Sequence, residues 1–284
     1  MSTRALPLIT VIAAGGLALS IASAQAPTDS APKQAFATID GVRLHYADWG
    51  GAGPWLVFLT PGGGSLDEQL GSLAPQFVDR FRVVGLTRRG QPPSAVAAGP
   101  YDTDTLVRDL VGFLDLLGAQ RAHLAGHSIA GAEMTRLAAT HPTRVATLVY
   151  LDAAVDYKAS AAIAREAGLA PHPDPAIVAI QRGAAVRSPE YRRVRAPALN
   201  IAVVFDGPIP SRPDDPEDYK RFLRLSEERG VVEANIHQFE RGMRQGRLLR
   251  LKNTTHGGFV SDAAQQRIFV PVMRHFLMDS ARPD

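Results

Sequence analysis

Ser128 stands in the stretch Gly126-His127-Ser128-Ile129-Ala130-Gly131, where strand-forming Ala122-His123-Leu124-Ala125 gives way to helix-forming residues. A serine at a strand-to-helix turn has its hydroxyl lifted clear of the sheet edge. It needs small neighbours, because the turn is strained and packs closely against adjacent strands. Gly126 meets that need on one side. Ala130 meets it on the other at the cost of one methyl group, with Gly131 beside it. The helix starting behind Ser128 directs its dipole and the free N–H of Ile129 toward any negative charge developing on a bound carbonyl. A plain helix-capping serine is the simpler reading, and the strand–helix context weighs against it.

A serine hydroxyl needs a base, and the base needs orienting. His256, in Asn253-Thr254-Thr255-His256-Gly257-Gly258-Phe259, follows the last strand and precedes the last helix. The other histidines are less well placed. His123 is inside a strand, and alternation turns His127 away from the serine. His141 precedes Pro142, while His45, His172, His237 and His275 have surface or packing readings. Two carboxylates compete to orient His256. Asp152 ends the strand Leu148–Leu151, and Asp206 ends Ala198–Phe205. A capping carboxylate and an Asp-Gly turn are their respective plain readings, and position alone leaves the choice open.

Thr60-Pro61-Gly62-Gly63-Gly64-Ser65 follows a strand, and its glycines let main-chain N–H groups turn toward an oxyanion. Gly63 is the expected donor, with Gly62 behind it. A phosphate-cradling loop would need Gly-Lys-Ser/Thr to follow, which is absent. There is no cysteine and no His/Asp/Glu grouping at metal-ligand spacing, so neither a metal nor another cofactor is expected.

The elements that must position these residues alternate. Asp40-Gly41 joins two apolar-alternating runs as a hairpin turn. Strands follow at 55–60, 81–86, 121–125, 145–151, 198–205 and 248–251. Helices are expected from the Ser65–Glu68 capping box to about Phe77, then along Leu106–Leu117, Met134–Thr140, Glu217–Arg229, Glu233–Gln245 and Ser261–Met278. Such alternation predicts an α/β fold: a mostly parallel central sheet with helices on both faces. Between 155 and 196 the pattern weakens into proline-broken helical fragments, read as a helical cap over the sheet's C-terminal edge. Tyr157, Ile163, Leu169, Ile177, Val178 and Ile180 are its apolar lining candidates, and Arg165, Arg182 and Arg187 its carboxylate-binding ones.

The 284 residues suffice for one large domain, read as 35–284. The balance of 31 basic against 28 acidic residues gives +3, with no basic run that marks a nucleic-acid binder. At the N-terminus, Arg4 precedes a small and apolar run to Ala22, and Ala22-Ser23-Ala24 is an A-x-A site. This is the layout of a secretory signal peptide, residues 1–24, followed by a loose leader at 25–34. An uncleaved anchor is the competing reading. An exported protein, periplasmic or secreted, is expected, with no stable membrane insertion once the signal is removed.

Pro61-Gly62-Gly63-Gly64, Arg88-Arg89-Gly90, the Gly126–Gly131 stretch, Leu148–Ala153 and Thr255-His256 together resemble the α/β-hydrolase superfamily, over nearly all of the mature length. The likeness is to the capped esterase, peptidase and lactonase branch, where Gly-His-Ser-Ile-Ala-Gly occurs. It implies a Ser-His-Asp triad of Ser128, His256 and one of the two aspartates, an oxyanion hole from Gly63, Gly62 and Ile129, and a small-molecule acyl substrate. There are departures. Pro61-Gly62 stands where many relatives have His-Gly, and Val203-Val204-Phe205-Asp206 lacks the glycine usual before the acid. Haloalkane dehalogenases take their acid from the sixth strand, the place matched by Asp152. Relatives that open epoxides or displace halide carry Asp where this chain has Ser128, so the serine implies acyl transfer. Cleavage of a carboxylic ester is the leading expectation, with a peptidase or lactonase as alternatives. A non-catalytic ligand-binding protein of the same fold is the alternative of another class.

Overall fold

The computed structural model of the chain describes residues 31–280. The expected signal peptide and the first part of the leader lie outside the described residues. β1 (Lys33–Ile39) starts two residues inside the stretch read as leader. It turns through Asp40-Gly41, both at positive φ, into β2 (Val42–Gly50). Six strands follow: β3 (Trp55–Leu59), β4 (Arg82–Leu86), β5 (Ala122–His127), β6 (Val145–Leu151), β7 (Ala198–Val203) and β8 (Gly246–Leu251).

All eight form one sheet in the order β1-β2-β4-β3-β5-β6-β7-β8. β2 alone runs against its neighbours; β4, β3, β5, β6, β7 and β8 pair in parallel. The strands of a parallel sheet are covered on both faces, which explains why they read as continuous apolar runs rather than alternating ones. β5 is buried along its whole length.

One face is covered by α2 (Thr103–Leu116), α3 (Ala130–Thr140) and α7 (Val231–Gly242). Phe113, Met134, Leu137 and Phe239 meet Leu124, Leu148 and Tyr150 there. The other face is covered by α1 (Leu66–Leu70), the short turn Ala74–Phe77 and α8 (Ala263–Asp279). Leu70, Phe77, Phe269 and Met273 pack there on Phe58, Val83, Leu199 and Ile201. The helix expected to run from Ser65 to Phe77 is therefore two pieces, parted ahead of Pro75, whose ring has no place in a helix interior.

The chain reverses its direction of travel across the sheet at β3. The helices after β3 and β5 lie on opposite faces, which leaves a crevice at the carboxyl ends of these two neighbouring strands. The expected cap is present as α4 (Tyr157–Ala167) and α5 (Pro175–Ala184), started by the side-chain caps Asp156 and Asp174. It is not alone. α6 (Glu217–Glu228), read from sequence as one of the helices flanking the sheet, packs on α4. The roof over the crevice is thus drawn from both sides of β7.

Candidate active site

Ser128 has φ of 55°, a left-handed conformation that a serine adopts only when its surroundings enforce it. Two close approaches do so. A Cβ on Gly131 would lie 1.7 Å from the carbonyl oxygen of Ala153, so the residue after Ala130 must be glycine for α3 to pass the chain leaving β6. A Cβ on Gly126 would lie 2.6 Å from the Ala130 methyl. Ala130 can replace glycine only because Gly126 makes room for it. The first N–H groups of α3 have no acceptor within the helix, and Ile129 is its cap.

The structure brings three of the sequence-selected side chains together. Ser128 Oγ lies 2.9 Å from His256 Nε2, and His256 Nδ1 lies 2.6 Å from Asp152 Oδ2. Asp152 is itself at φ 47° and is held at two points by β7. Its N–H donates to Ile201 O at 2.7 Å, and its Oδ1 accepts from Val203 N–H at 3.0 Å. This leaves Oδ2 aimed at the imidazole. Asp206 is not brought to the histidine. It is exposed beyond the end of β7 and accepts from Lys252 Nζ at 2.7 Å.

The His256 side chain is half exposed, onto the cavity it lines. Enclosure alone would disfavour its imidazolium. The hydrogen bond and charge of Asp152 overcome that, and its pKa is raised above the ordinary value of 6.5. His127 points away from Ser128, as alternation requires, and donates from Nε2 to the His256 carbonyl oxygen at 2.8 Å. It is buried, and desolvation followed by the neighbouring His256 takes its pKa down to about 4. His123 is a buried strand residue paired with Thr147 Oγ1, also near 4 through burial.

The loop carrying Gly62 and Gly63 is held from below. Pro61 O accepts from Arg88 Nη1 at 3.0 Å and from Gln91 Nε2 at 3.1 Å. Arg88 is buried, and its Nε donates to buried Glu133 at 2.7 Å. Because a trans peptide points its C=O and N–H in opposite directions, fixing Pro61 O inward turns the Gly62 N–H away from Arg88. Gly63 has φ of 133°, and Ile177 of α5 lies over both glycines.

The cavity beside Ser128 has a volume of about 750 Å³. Of the six cap residues picked out as lining, only Tyr157 borders it. Ile163, Ile177 and Ile180 are buried in packing instead, and Ile180 joins Leu106 and Ile129. Arg165, Arg182 and Arg187 are exposed and border none of it; Arg187 pairs with Asp104. Much of the wall comes from Phe222 and Leu223 of α6 and from Val232 and Ile236 of α7. Amphipathic helices look alike whether they cover a sheet or a cavity, which is why these residues were missed.

Tyr157 borders the same cavity as Ser128, and burial raises its phenol pKa. The first turn of α4 sets its position. Asp156 caps that turn, gives its N–H to Asn235 Oδ1 at 3.0 Å and accepts from Gln238 Nε2 at 3.1 Å, both on α7. A hydroxyl, an imidazole and an oriented carboxylate bordering one cavity can carry out acyl transfer.

A family model described as alpha/beta hydrolase fold matches residues 54–183. A thermophilic esterase from Thermogutta terrifontis superposes with a TM-score of 0.65 at 16% identity, covering 88% of this chain and 100% of that one. The chain has the α/β-hydrolase fold. Among curated proteins, a provisionally named carbamate hydrolase from Caulobacter segnis is 36% identical over 120 residues, 40% of this chain and 44% of that protein. A 3-oxoadipate enol-lactonase from Acinetobacter baylyi is 31% identical over 141 residues, 47% of this chain and 52% of its own. The chain thus spans about half the length of these curated relatives. The matched part is the nucleophile side of the fold with the first roof segment; α6 lies outside the family match.

Proposed function

We propose that this α/β-hydrolase is a serine hydrolase that cleaves a carboxylic ester or related acyl bond through an acyl-Ser128 intermediate. The observation that carries the reading is the unbroken hydrogen-bonded relay of Ser128 Oγ, His256 and Asp152, at 2.9 and 2.6 Å, on the wall of a cavity. His256 takes the Ser128 proton as the oxygen attacks the carbonyl carbon. Main-chain N–H groups of Ile129 and the Gly62-Gly63 loop bind the oxyanion. The imidazolium, stabilised by Asp152, returns the proton to the leaving oxygen, and water then repeats the cycle to free the acid.

Relatives named for lactone and carbamate hydrolysis support the reaction class rather than a substrate. A lactone would enter the same acyl-serine path, and comparing p-nitrophenyl esters, lactones and aminoacyl anilides separates ester, lactone and peptide cleavage. The test of the scheme is labelling by a fluorophosphonate. The protein is expected to take up one equivalent on Ser128, and Ser128→Ala to take up none. An unlabelled wild-type protein would instead favour a binding protein of this fold. The N-terminal layout supports export as a further part of the reading, tested by N-terminal sequencing of the protein recovered outside the cytoplasm.

A further inference from the structure

Asn200 lies in the middle of β7, a strand whose other residues, Ala198, Leu199, Ile201, Ala202 and Val203, are all apolar. It is 2% exposed, and its Oδ1 has no hydrogen-bond partner. A buried amide in that condition costs stability, and native interiors rarely keep one without cause. Its neighbour in register on β6, Tyr150, does not relieve it, since the Tyr150 hydroxyl bonds to Thr135 Oγ1 at 2.8 Å. Asn200 borders the cavity that contains Ser128 and His256.

The register places it within that cavity. Leu151 pairs with Ile201, so Asp152 is level with Ala202, and Asn200 lies two residues further toward the start of β7. At about 3.3 Å per residue, that is about 7 Å below the level of the triad. The cavity lining includes Ala202 on the strand and Val232 and Ile236 on α7, while Asn235 of the same helix is engaged by the Asp156 N–H. Outside the triad, the charged residues bordering the cavity are Arg212 and Asp215, on the roof loop before α6.

We propose that Asn200 is the distal specificity residue of this site, reading a neutral hydrogen-bonding group at the far end of the substrate's acyl chain. The inference rests on the acyl-Ser128 reading for what stands at the near end. The substrate class is an ester of a medium-length acid with an apolar middle and a terminal hydroxyl or carboxamide. A terminal carboxylate or ammonium is excluded, because it would be buried against apolar walls with no opposite charge. A terminal methyl is disfavoured, because it leaves the amide unpaired.

Two measurements test this. Hydrolysis of p-nitrophenyl esters from butanoyl to octanoyl is compared with that of their ω-hydroxy counterparts. At the length that spans the cavity, the ω-hydroxy ester is expected to have at least a tenfold higher kcat/KM, and Asn200→Leu to abolish or reverse that ratio. An unchanged ratio in a folded Asn200→Leu protein overturns the inference. Separately, hexanediol and hexanol are titrated into Ser128→Ala and followed by NMR, which requires neither turnover nor a folded Asn200 variant. Tighter binding of the diol supports the inference, and equal binding overturns it. Loss of fluorophosphonate labelling with retained diol preference would instead count against the hydrolase reading alone.

Discussion

His127 gives its Nε2 proton to the main-chain carbonyl of His256 across 2.8 Å, and the two rings stand 4.8 Å apart. The residue before Ser128 therefore holds the loop that carries His256. A carbonyl only accepts, so the Nε2–H tautomer is fixed and Nδ1 is bare; it is buried without a partner. Burial keeps the ring neutral beside His256, where a second positive charge would compete with the imidazolium of the proposed cycle.

His127→Phe is accordingly expected to lower kcat/KM by about ten- to a hundredfold through misplacement of His256. His127→Gln, whose amide can donate to the same carbonyl, is expected to recover part of the loss. Steady-state kinetics on an activated ester, with melting temperatures alongside, check both. A fall in stability with no change in kcat/KM would make His127 a packing residue only.

The raised pKa of His256 fixes the direction of the pH profile. The base works only when neutral, so kcat/KM is expected to rise with pH through an apparent pKa above 6.5. Burial disfavours the imidazolium and Asp152 favours it. Asp152→Asn removes the favourable part, so the ascending limb should move to lower pH even as the maximum falls. A limb that stays in place would show that another group titrates.

His123 and His127 make stability rise with pH as well. Each titrates near 4 in the folded chain against about 6.5 when unfolded. The unfolded chain therefore binds more protons between these values, and stability is lost as pH falls from about 6.5 toward 4. Each histidine contributes on the order of 3 kcal/mol across that window. Urea denaturation at pH 7 and pH 4.5 should show a smaller drop for His123→Asn than for the wild type.

The sheet and its strand order of use were legible because parallel strands are buried on both faces and read as short apolar runs between capped helices. Ser128 and His256 were legible for a related reason: each sits at a fixed junction, strand to helix or last strand to last helix. The roof was not. Glu217–Glu228 carries an apolar stripe that suits a sheet face or a cavity equally, and only its packing on α4 separates the two. Tyr157 was legible as a lining residue but not as a neighbour of Ser128. That depends on Asp156 being tied to Asn235 and Gln238, about 80 residues later in the chain. Asn200 did leave a signal, a lone amide inside an apolar strand, which periodicity passes over because it counts matches to a pattern rather than costs of burial.

The two aspartates differ in what they are asked to hold. Asp152 is fixed at Oδ1 by Val203 N–H and presents Oδ2 to His256, whereas Asp206 is exposed and paired with Lys252 at the surface. A triad carboxylate selects the imidazole tautomer with the proton on Nδ1 and stabilises its cation; an amide in its place can present the wrong group and lock the wrong tautomer. Asp152→Asn is therefore expected to cut kcat by about three orders of magnitude or more. Asp206→Asn removes only an exposed ion pair, worth under about 1 kcal/mol, and should leave kcat within about twofold of wild type. Both are read from the same ester assay on folded protein. A loss in Asp206→Asn comparable to that in Asp152→Asn would require the loop after β7 to swing inward when substrate binds, carrying Asp206 from Lys252 to His256.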